Sequence, residues 1–244
     1  MTITLNDLQA RTASAVAHYW LTRNRQDARQ TGADADRGAR GSVTGGKQMD
    51  GFPKLVQMAL VENGLGGLTI RRDGPLELPG YFRPTKKWDL LVLRNGQVLA
   101  ALEFKSQVGP SFGNNFNNRC EEAIGSGHDL RIAFRERALG QSGPPFLGWV
   151  MLLEDSPRSQ VPVDVAEPHF RVFPEFRGAS YAKRYELLLR RLTSERLYDA
   201  AALVLAKRVT SPTASHSEPA PDLTLRSFLC QLIGHLAGRV EGTP

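Results

Sequence analysis

The stretch WDLLVLRNGQVLAALEFKSQ, Trp88 to Gln107, decides how the chain folds. Two apolar runs, Leu90 to Leu93 and Val98 to Leu102, flank Asn95-Gly96, a dipeptide that favours a tight hairpin turn because both residues tolerate positive φ. Strands are therefore expected over Trp88–Arg94 and Gln97–Gln107. The second ends in Glu103-Phe104-Lys105, where a period of two puts the acid and the lysine on one face, about 7 Å apart. Charges inside an apolar strand are costly unless partnered. The nearest partner in sequence is Asp89, on the preceding strand. A two-residue turn would pair 94 with 97, hence 89 with 102, and turn Asp89 to the wrong face. A three-residue Arg94-Asn95-Gly96 loop, with Gly96 left-handed in a bulge, pairs 93 with 97 and 89 with 101. Asp89 then lies diagonal to Glu103, and that bulged loop is the expected one.

Outward from the hairpin, the N-terminal side reads as two helices and a short strand. Leu5, Leu8, Thr12, Ala15, Val16, Tyr19 and Trp20 share one helical face over Thr4–Arg29, with Asn6 as a candidate N-cap. A Gly-rich basic tract with Arg37, Arg40 and Lys47 fills 31–50, either a linker or an arm that orders on DNA. A second helix, Pro53–Asn63, should stop at Asn63-Gly64, and a strand follows at Leu68–Arg72. C-terminal to the hairpin, a helix is expected over Asn114–Leu139, broken near Gly125-Ser126-Gly127. The run Phe146–Leu153 reads as a strand buried on both faces. Four prolines make 156–178 irregular. Helices are expected at Tyr181–Thr193, Tyr198–Val209 and Leu223–Val240, the first two with seven bases against three acids in 178–210. The order gives an α/β fold in one domain: a mixed sheet flanked by helices.

Composition narrows the class. The 244 residues are 41% hydrophobic, enough for a sizeable core, and the longest apolar run has eight residues, too few to cross a bilayer. No secretory signal pattern opens the sequence, and Cys120 and Cys230 read as buried free thiols in a reducing cytoplasm, where the protein is expected to reside. A formal charge of +6, carried mostly by arginine, favours a polyanionic partner. Five scattered histidines lack ligand spacing, and no phosphate-cradling glycine loop is present.

An Asp followed across a hairpin by Glu-x-Lys resembles the PD-(D/E)xK nucleases. With 25 acids and seven lysines, an acid-x-Lys triplet alone is expected just under once by chance, so the hairpin and Asp89 carry the argument. Mg²⁺ prefers oxygen donors, and Asp89, Glu103 and the Phe104 carbonyl would supply them. Such a metal polarises a phosphate and acidifies an attacking water, while Lys105 orients or deprotonates that water and stabilises the pentavalent phosphorane. Glu62 is a further candidate carboxylate, more simply read as a solvated helix end. Lys86 and Lys87 are candidates for phosphate contact. Asn114, Asn115, Asn118 and Arg119 sit just after the Glu-x-Lys strand, in types that read adenine, guanine or phosphate, or that cap a helix.

The runs Phe82-Arg83-Pro84-Thr85-Lys86-Lys87-Trp88-Asp89-Leu90-Leu91 and Glu103 to Arg119 resemble the XhoI-type family of type II restriction endonucleases. Glu121-Glu122-Ala123-Ile124-Gly125, Leu152-Leu153-Glu154-Asp155, Glu167-Pro168-His169-Phe170 and Phe173 to Gly178 continue the resemblance. It implies a homodimer cleaving duplex DNA at CTCGAG to leave 5′ overhangs, Mg²⁺ as cofactor, and a cognate methyltransferase protecting the site. It also implies that Asp89 and Glu103 are metal ligands and Lys105 is the catalytic lysine. The motif's Pro-Asp pair is absent: Trp88 precedes Asp89 and Pro84 lies five residues earlier. A palindrome implies two-fold symmetry. The helices over Tyr181–Val209 and the face Phe228, Leu229, Leu232, Ile233 are candidates for the seam or for internal packing. Two other functions share the hairpin: a repair or structure-selective nuclease, and a duplex-binding module without catalysis.

Overall fold

Strand β5 (Gln97–Gln107) is the spine of a five-stranded sheet. The computed structural model describes residues 2–32, 47–141 and 143–241. Most of the Gly-rich basic tract therefore lies outside the described residues. The sheet order is β1 (Thr69–Arg71), β4 (Leu90–Arg94), β5, β6 (Phe146–Glu154), β7 (Ala200–Ala206). β1, β4 and β5 pair antiparallel, whereas β5, β6 and β7 run parallel. Parallel neighbours need crossovers, supplied here by α3 (Phe112–Arg135) and α5 (Tyr181–Ser194), with a four-residue α4 (Pro157–Gln160) before the latter. A small two-stranded sheet, β2 (Glu77–Pro79) with β3 (Thr85–Lys87), precedes β4.

Alternation along the strands builds a core on each face of the sheet. Phe146, Val150 and Leu152 join Ala202 and Val204 under α1 (Leu8–Gly32), α2 (Gly51–Leu60) and α6 (Leu225–Glu241). Leu147, Trp149, Met151 and Leu153 point the other way, with Leu203 and Leu205, against α3 and α5. The result is the α/β architecture expected, a mixed sheet between helices.

Four local expectations fail, each for a physical reason. The turn is the two-residue Asn95-Gly96 type, both at positive φ (50° and 77°), and Arg94 pairs with Gln97. The bulge lies deeper, at Leu99: Leu93 pairs with Val98 but Val92 with Ala100. Leu99 and Ala100, though adjacent, both enter the first core, while Val98 and Ala101 enter the second. Second, the segment expected as a helix over Tyr198–Val209 holds β7, all seven residues buried. A short run of Ala, Leu and Val fits a buried helix or a buried strand equally, and pairing beside β6 decides it. Third, α3 is unbroken at Gly127 because the glycine makes room for a ring: a Cβ there would lie 2.8 Å from Tyr198 Cε2. The Tyr198 hydroxyl donates to the Ala123 carbonyl at 3.0 Å.

Fourth, α1 starts at Leu8 rather than Thr4, after Asp7 at φ 51°. Thr4 instead exchanges hydrogen bonds with the Asn63 side chain, whose Oδ1 accepts from Thr4 N and whose Nδ2 donates to Thr4 O, both at 2.8 Å. The second helix itself ends at Leu60, and the wider turn that continues it leaves helical conformation at Asn63-Gly64, the pair expected to stop it, where Asn63 pins the N-terminal segment. Phe228, Leu229, Leu232 and Ile233 are fully buried in the first core, and Tyr185 and Leu189 in the second, so these faces are internal packing rather than a seam between subunits.

Candidate active site

β5 outlasts β4. Leu90 pairs with Leu102, so beyond that point β5 has a neighbour only on the β6 side. Asp89 occupies the edge left open: its N–H donates to the Leu102 carbonyl at 3.2 Å, and its Oδ2 accepts from Phe104 N at 2.8 Å. Continuing the register places Asp89 opposite Glu103, not diagonal to it as expected. The Leu99 bulge does this: it advances the register by one and turns Asp89 to the face that Glu103 occupies. The far end of β5 is fixed as well. Buried Gln107 donates to the Phe112 carbonyl at 2.9 Å and accepts from the Tyr185 hydroxyl, tying the strand to α3 and α5.

Glu103 is fully buried, and two ammonium groups meet it. Lys86 Nζ pairs with Oε1 and also lies 4.7 Å from the centroid of the Trp88 ring. Lys105 Nζ lies 2.8 Å from Oε2 as an ion pair. Lys105 also reaches Glu122 Oε1 on α3 at 2.7 Å, and Arg119 Nη1 pairs with the other Glu122 oxygen. Two carboxylates and three cations thus interlock beside Asp89 on one face of β5.

Their proton affinities follow from these contacts. Burial, and then the charge of Glu103, push the Asp89 carboxyl up to about 6. Burial alone would lower Lys105, but Glu103, Asp89 and Glu122 outweigh it and hold the ammonium above its ordinary value. As arranged, Lys105 is a charged donor at neutral pH. Burial would raise Glu122, yet Lys105 and Arg119 hold it below the usual carboxylate range.

Beside these groups opens a cleft of about 640 Å³, lined by Asp89, Phe104 and Lys105 and by the bases Arg72, Lys87 and Arg119. No three His, Cys, Asp or Glu side chains converge as a metal cluster among the described residues. The donor set available is Asp89, Glu103 and the Phe104 carbonyl, all oxygen, which suits a hard cation. Glu103 Oε2, met here by the Lys105 ammonium, is the carboxylate oxygen that a metal cation would have to share.

The structure brings together Asp89, Glu103, Phe104, Lys105, Lys87 and Arg119. It draws Lys86 inward onto Glu103. Asn115 lines an adjoining groove with Arg119 and Arg23, Asn114 lines another with Arg158 and Tyr181, and Asn118 is exposed on α3. Glu62 is elsewhere: its carboxylate pairs with Arg11, with Oε2 at 2.7 Å from Nη1, which holds its pKa down. Glu122 escaped the sequence-based reading as a site residue, because an acid on a helix is ordinarily a solvated one. The β2–β3 hairpin escaped it too, since three-residue strands carry no periodicity. That hairpin leads into Asp89 and is anchored to α3 by buried Asp129, which accepts from Tyr81 N, Phe82 N and Arg83 Nε at 2.7, 2.8 and 2.7 Å.

Comparison with known proteins identifies relatives of the chain. The family model for restriction endonuclease XhoI matches residues 27–218. The type II restriction enzyme BstVI of Geobacillus stearothermophilus is 50% identical over 207 residues, 83% of this chain and 92% of that protein. The type II restriction enzyme XhoI of Xanthomonas vasicola is 48% identical over 184 residues, 72% of each. The type II restriction enzyme AbrI of Azospirillum brasilense is 49% identical over 174 residues, 70% of this chain and 78% of that protein. No solved structure matches the chain. No helix among the described residues is long and apolar enough to cross a membrane. A match across most of the chain and relatives at half identity make the chain a member of the XhoI restriction endonuclease family, type II site-specific deoxyribonucleases that act on double-stranded DNA.

Proposed function

We propose that this enzyme hydrolyses both strands of duplex DNA at CTCGAG, leaving 5′ overhangs, as a Mg²⁺-dependent homodimer whose own genome is protected by a cognate methyltransferase. The observation that carries the chemistry is the meeting of Asp89, Glu103 and Lys105 at the open edge of β5, in a cleft rimmed by arginine and lysine. The choice of CTCGAG rests on the resemblance to the XhoI family. Asp89, Glu103 and the Phe104 carbonyl would hold Mg²⁺, which when bound offsets charge on the phosphate and acidifies the attacking water. Lys105, an ammonium between carboxylates, donates to the phosphate oxygen that gains charge as water attacks phosphorus and the ester oxygen departs. Arg119 and Lys87 bind neighbouring phosphates through charge. Asp89 holds the end of β5 in place through Phe104 N, which keeps Glu103 and Lys105 at a fixed height above the cleft. A palindrome suits two copies that each read one half-site and cut one strand.

Digestion of a plasmid carrying one CTCGAG site, with Mg²⁺ or EDTA, followed by end mapping, tests this. One cut, lost in EDTA and on methylation of the site, is expected. Cuts elsewhere would overturn the assigned sequence while keeping the hydrolytic site, and cleavage undiminished in EDTA would overturn the metal.

A further inference from the structure

Glu122 stands outside the Asp, Glu and Lys of the strand, yet it touches Lys105 as closely as Glu103 does: 2.7 Å against 2.8 Å. It comes from another element, α3, and its second oxygen is taken by Arg119 one helical turn earlier. An exposed (i, i+3) pair on a helix contributes little and faces solvent. Here both partners are about one-third exposed, and Glu122 Oε1 turns inward to the lysine.

The sharing matters because Glu103 has competing claims on it. Lys86 takes Oε1, and Lys105 takes Oε2 as an ion pair. A divalent cation entering beside Asp89 and the Phe104 carbonyl must use Glu103 oxygen, and like charge drives an ammonium from the same lone pairs. Lys105 sits on a flexible four-carbon stem and would then be free to leave the cleft. We infer that Glu122 is a positioning residue, a second carboxylate that keeps the Lys105 ammonium over the scissile phosphate while Glu103 is given over to the metal. Arg119 completes the device by holding the other oxygen of the Glu122 carboxylate. The inference rests on the reading of Asp89, Glu103 and Lys105 as the catalytic site.

A double-mutant cycle tests it with Glu122→Gln, Lys105→Met and the combined variant of the full chain. Three quantities are read: single-turnover cleavage of a CTCGAG duplex in saturating Mg²⁺, binding of that duplex in EDTA, and Mn²⁺ binding to the free protein by electron paramagnetic resonance. Glu122→Gln should slow cleavage by about 10–100-fold, the range for partners that orient a reacting group, with duplex affinity held within about twofold. Mn²⁺ affinity should fall, because a lysine with one carboxylate left competes for Glu103. In the Lys105→Met background the same change should alter Mn²⁺ affinity by no more than about twofold, since no lysine remains to be held. Glu122→Asp retains charge but draws it back by one methylene, and it should also slow cleavage by about tenfold or more. If Glu122→Gln does not fold by circular dichroism, the Asp variant carries the test. Wild-type rates in either folded variant, or an equal loss of Mn²⁺ affinity with and without Lys105, would overturn the inference. A fully active Lys105→Met would instead overturn the reading of the catalytic site.

Discussion

Replacing Asp89 by asparagine should make the metal-free protein more stable, although it removes an acid from the centre of the site. The Asp89 carboxyl is half-buried at the strand edge and faces Glu103, and its pKa rises from 3.8 to about 6. A raised carboxylate pKa means that the folded state holds its proton more tightly than the unfolded chain. Stability is therefore unaffected below the unfolded value and falls as pH rises between about 4 and 6.5, remaining lowered above that. The difference of roughly two pKa units corresponds to about 3 kcal/mol at pH 8 and about half of that at pH 5. The amide keeps an oxygen to accept from Phe104 N and has no charge to set against Glu103, so the variant escapes the penalty. Urea unfolding in EDTA, at pH 5 and pH 8, measures it: the variant should exceed wild type by about 3 kcal/mol at pH 8, and the gap should narrow at pH 5. Added Mg²⁺ should stabilise wild type and leave the variant unmoved, because only the native site binds it. A variant equal to or weaker than wild type at pH 8, or a gap indifferent to pH, would refute the claim that Asp89 is held against its own electrostatics. Cleavage by this variant should be lost under all these conditions.

Three further outcomes follow from other contacts. Glu103→Ala should abolish cleavage and also cost about 3–5 kcal/mol in urea unfolding, because it strands Lys86 without its buried partner and leaves Lys105 to Glu122 alone; an unchanged midpoint would show that the lysines relax freely into water. Gly127→Ala should destabilise the fold by about 1–3 kcal/mol through the Tyr198 ring, and a double change with Tyr198→Phe should not relieve it, since the ring rather than the hydroxyl is in the way. Duplex binding in EDTA should weaken steeply with added salt, because Arg72, Lys87 and Arg119 line the cleft; affinity flat from about 50 to 200 mM salt would speak against phosphate neutralisation.

Much of this was legible before the fold was known, and the reason is local. β5 runs over Gln97–Gln107, the span that alternation and Asn95-Gly96 define, and the Asp, Glu and Lys of the hairpin do converge. The demand that Asp89 and Glu103 share a face anticipated a bulge; its place, and with it the turn type and the exact register, were misjudged, because Asn95-Gly96 is satisfied by its own two-residue turn and leaves the register to be corrected inside the strand. β7 was hidden because Ala200 to Ala206 has no period at all, so only the neighbour it pairs with can choose its conformation. Glu122 was hidden as a site residue, and the inward pairing of Lys86 with Glu103 was hidden too, because both depend on which groups three-dimensional folding places opposite them. No spacing in the chain announces that a helix will set Glu122 2.7 Å from Lys105.

The single extra residue at Leu99 also constrains how such a hairpin is allowed to vary over time. With the turn and the bulge held as they are, one residue added to or removed from a paired stretch between Asp89 and Glu103 slips the register by one and turns one of them to the other face. Such a slip should cost catalysis even where the hairpin still closes and the core still packs. A residue added in the turn, or removal of the bulge residue itself, leaves the pairing of Asp89 with Glu103 as it is. At the spacing found here, relatives should hold either a two-residue turn with the bulge or a three-residue turn without it.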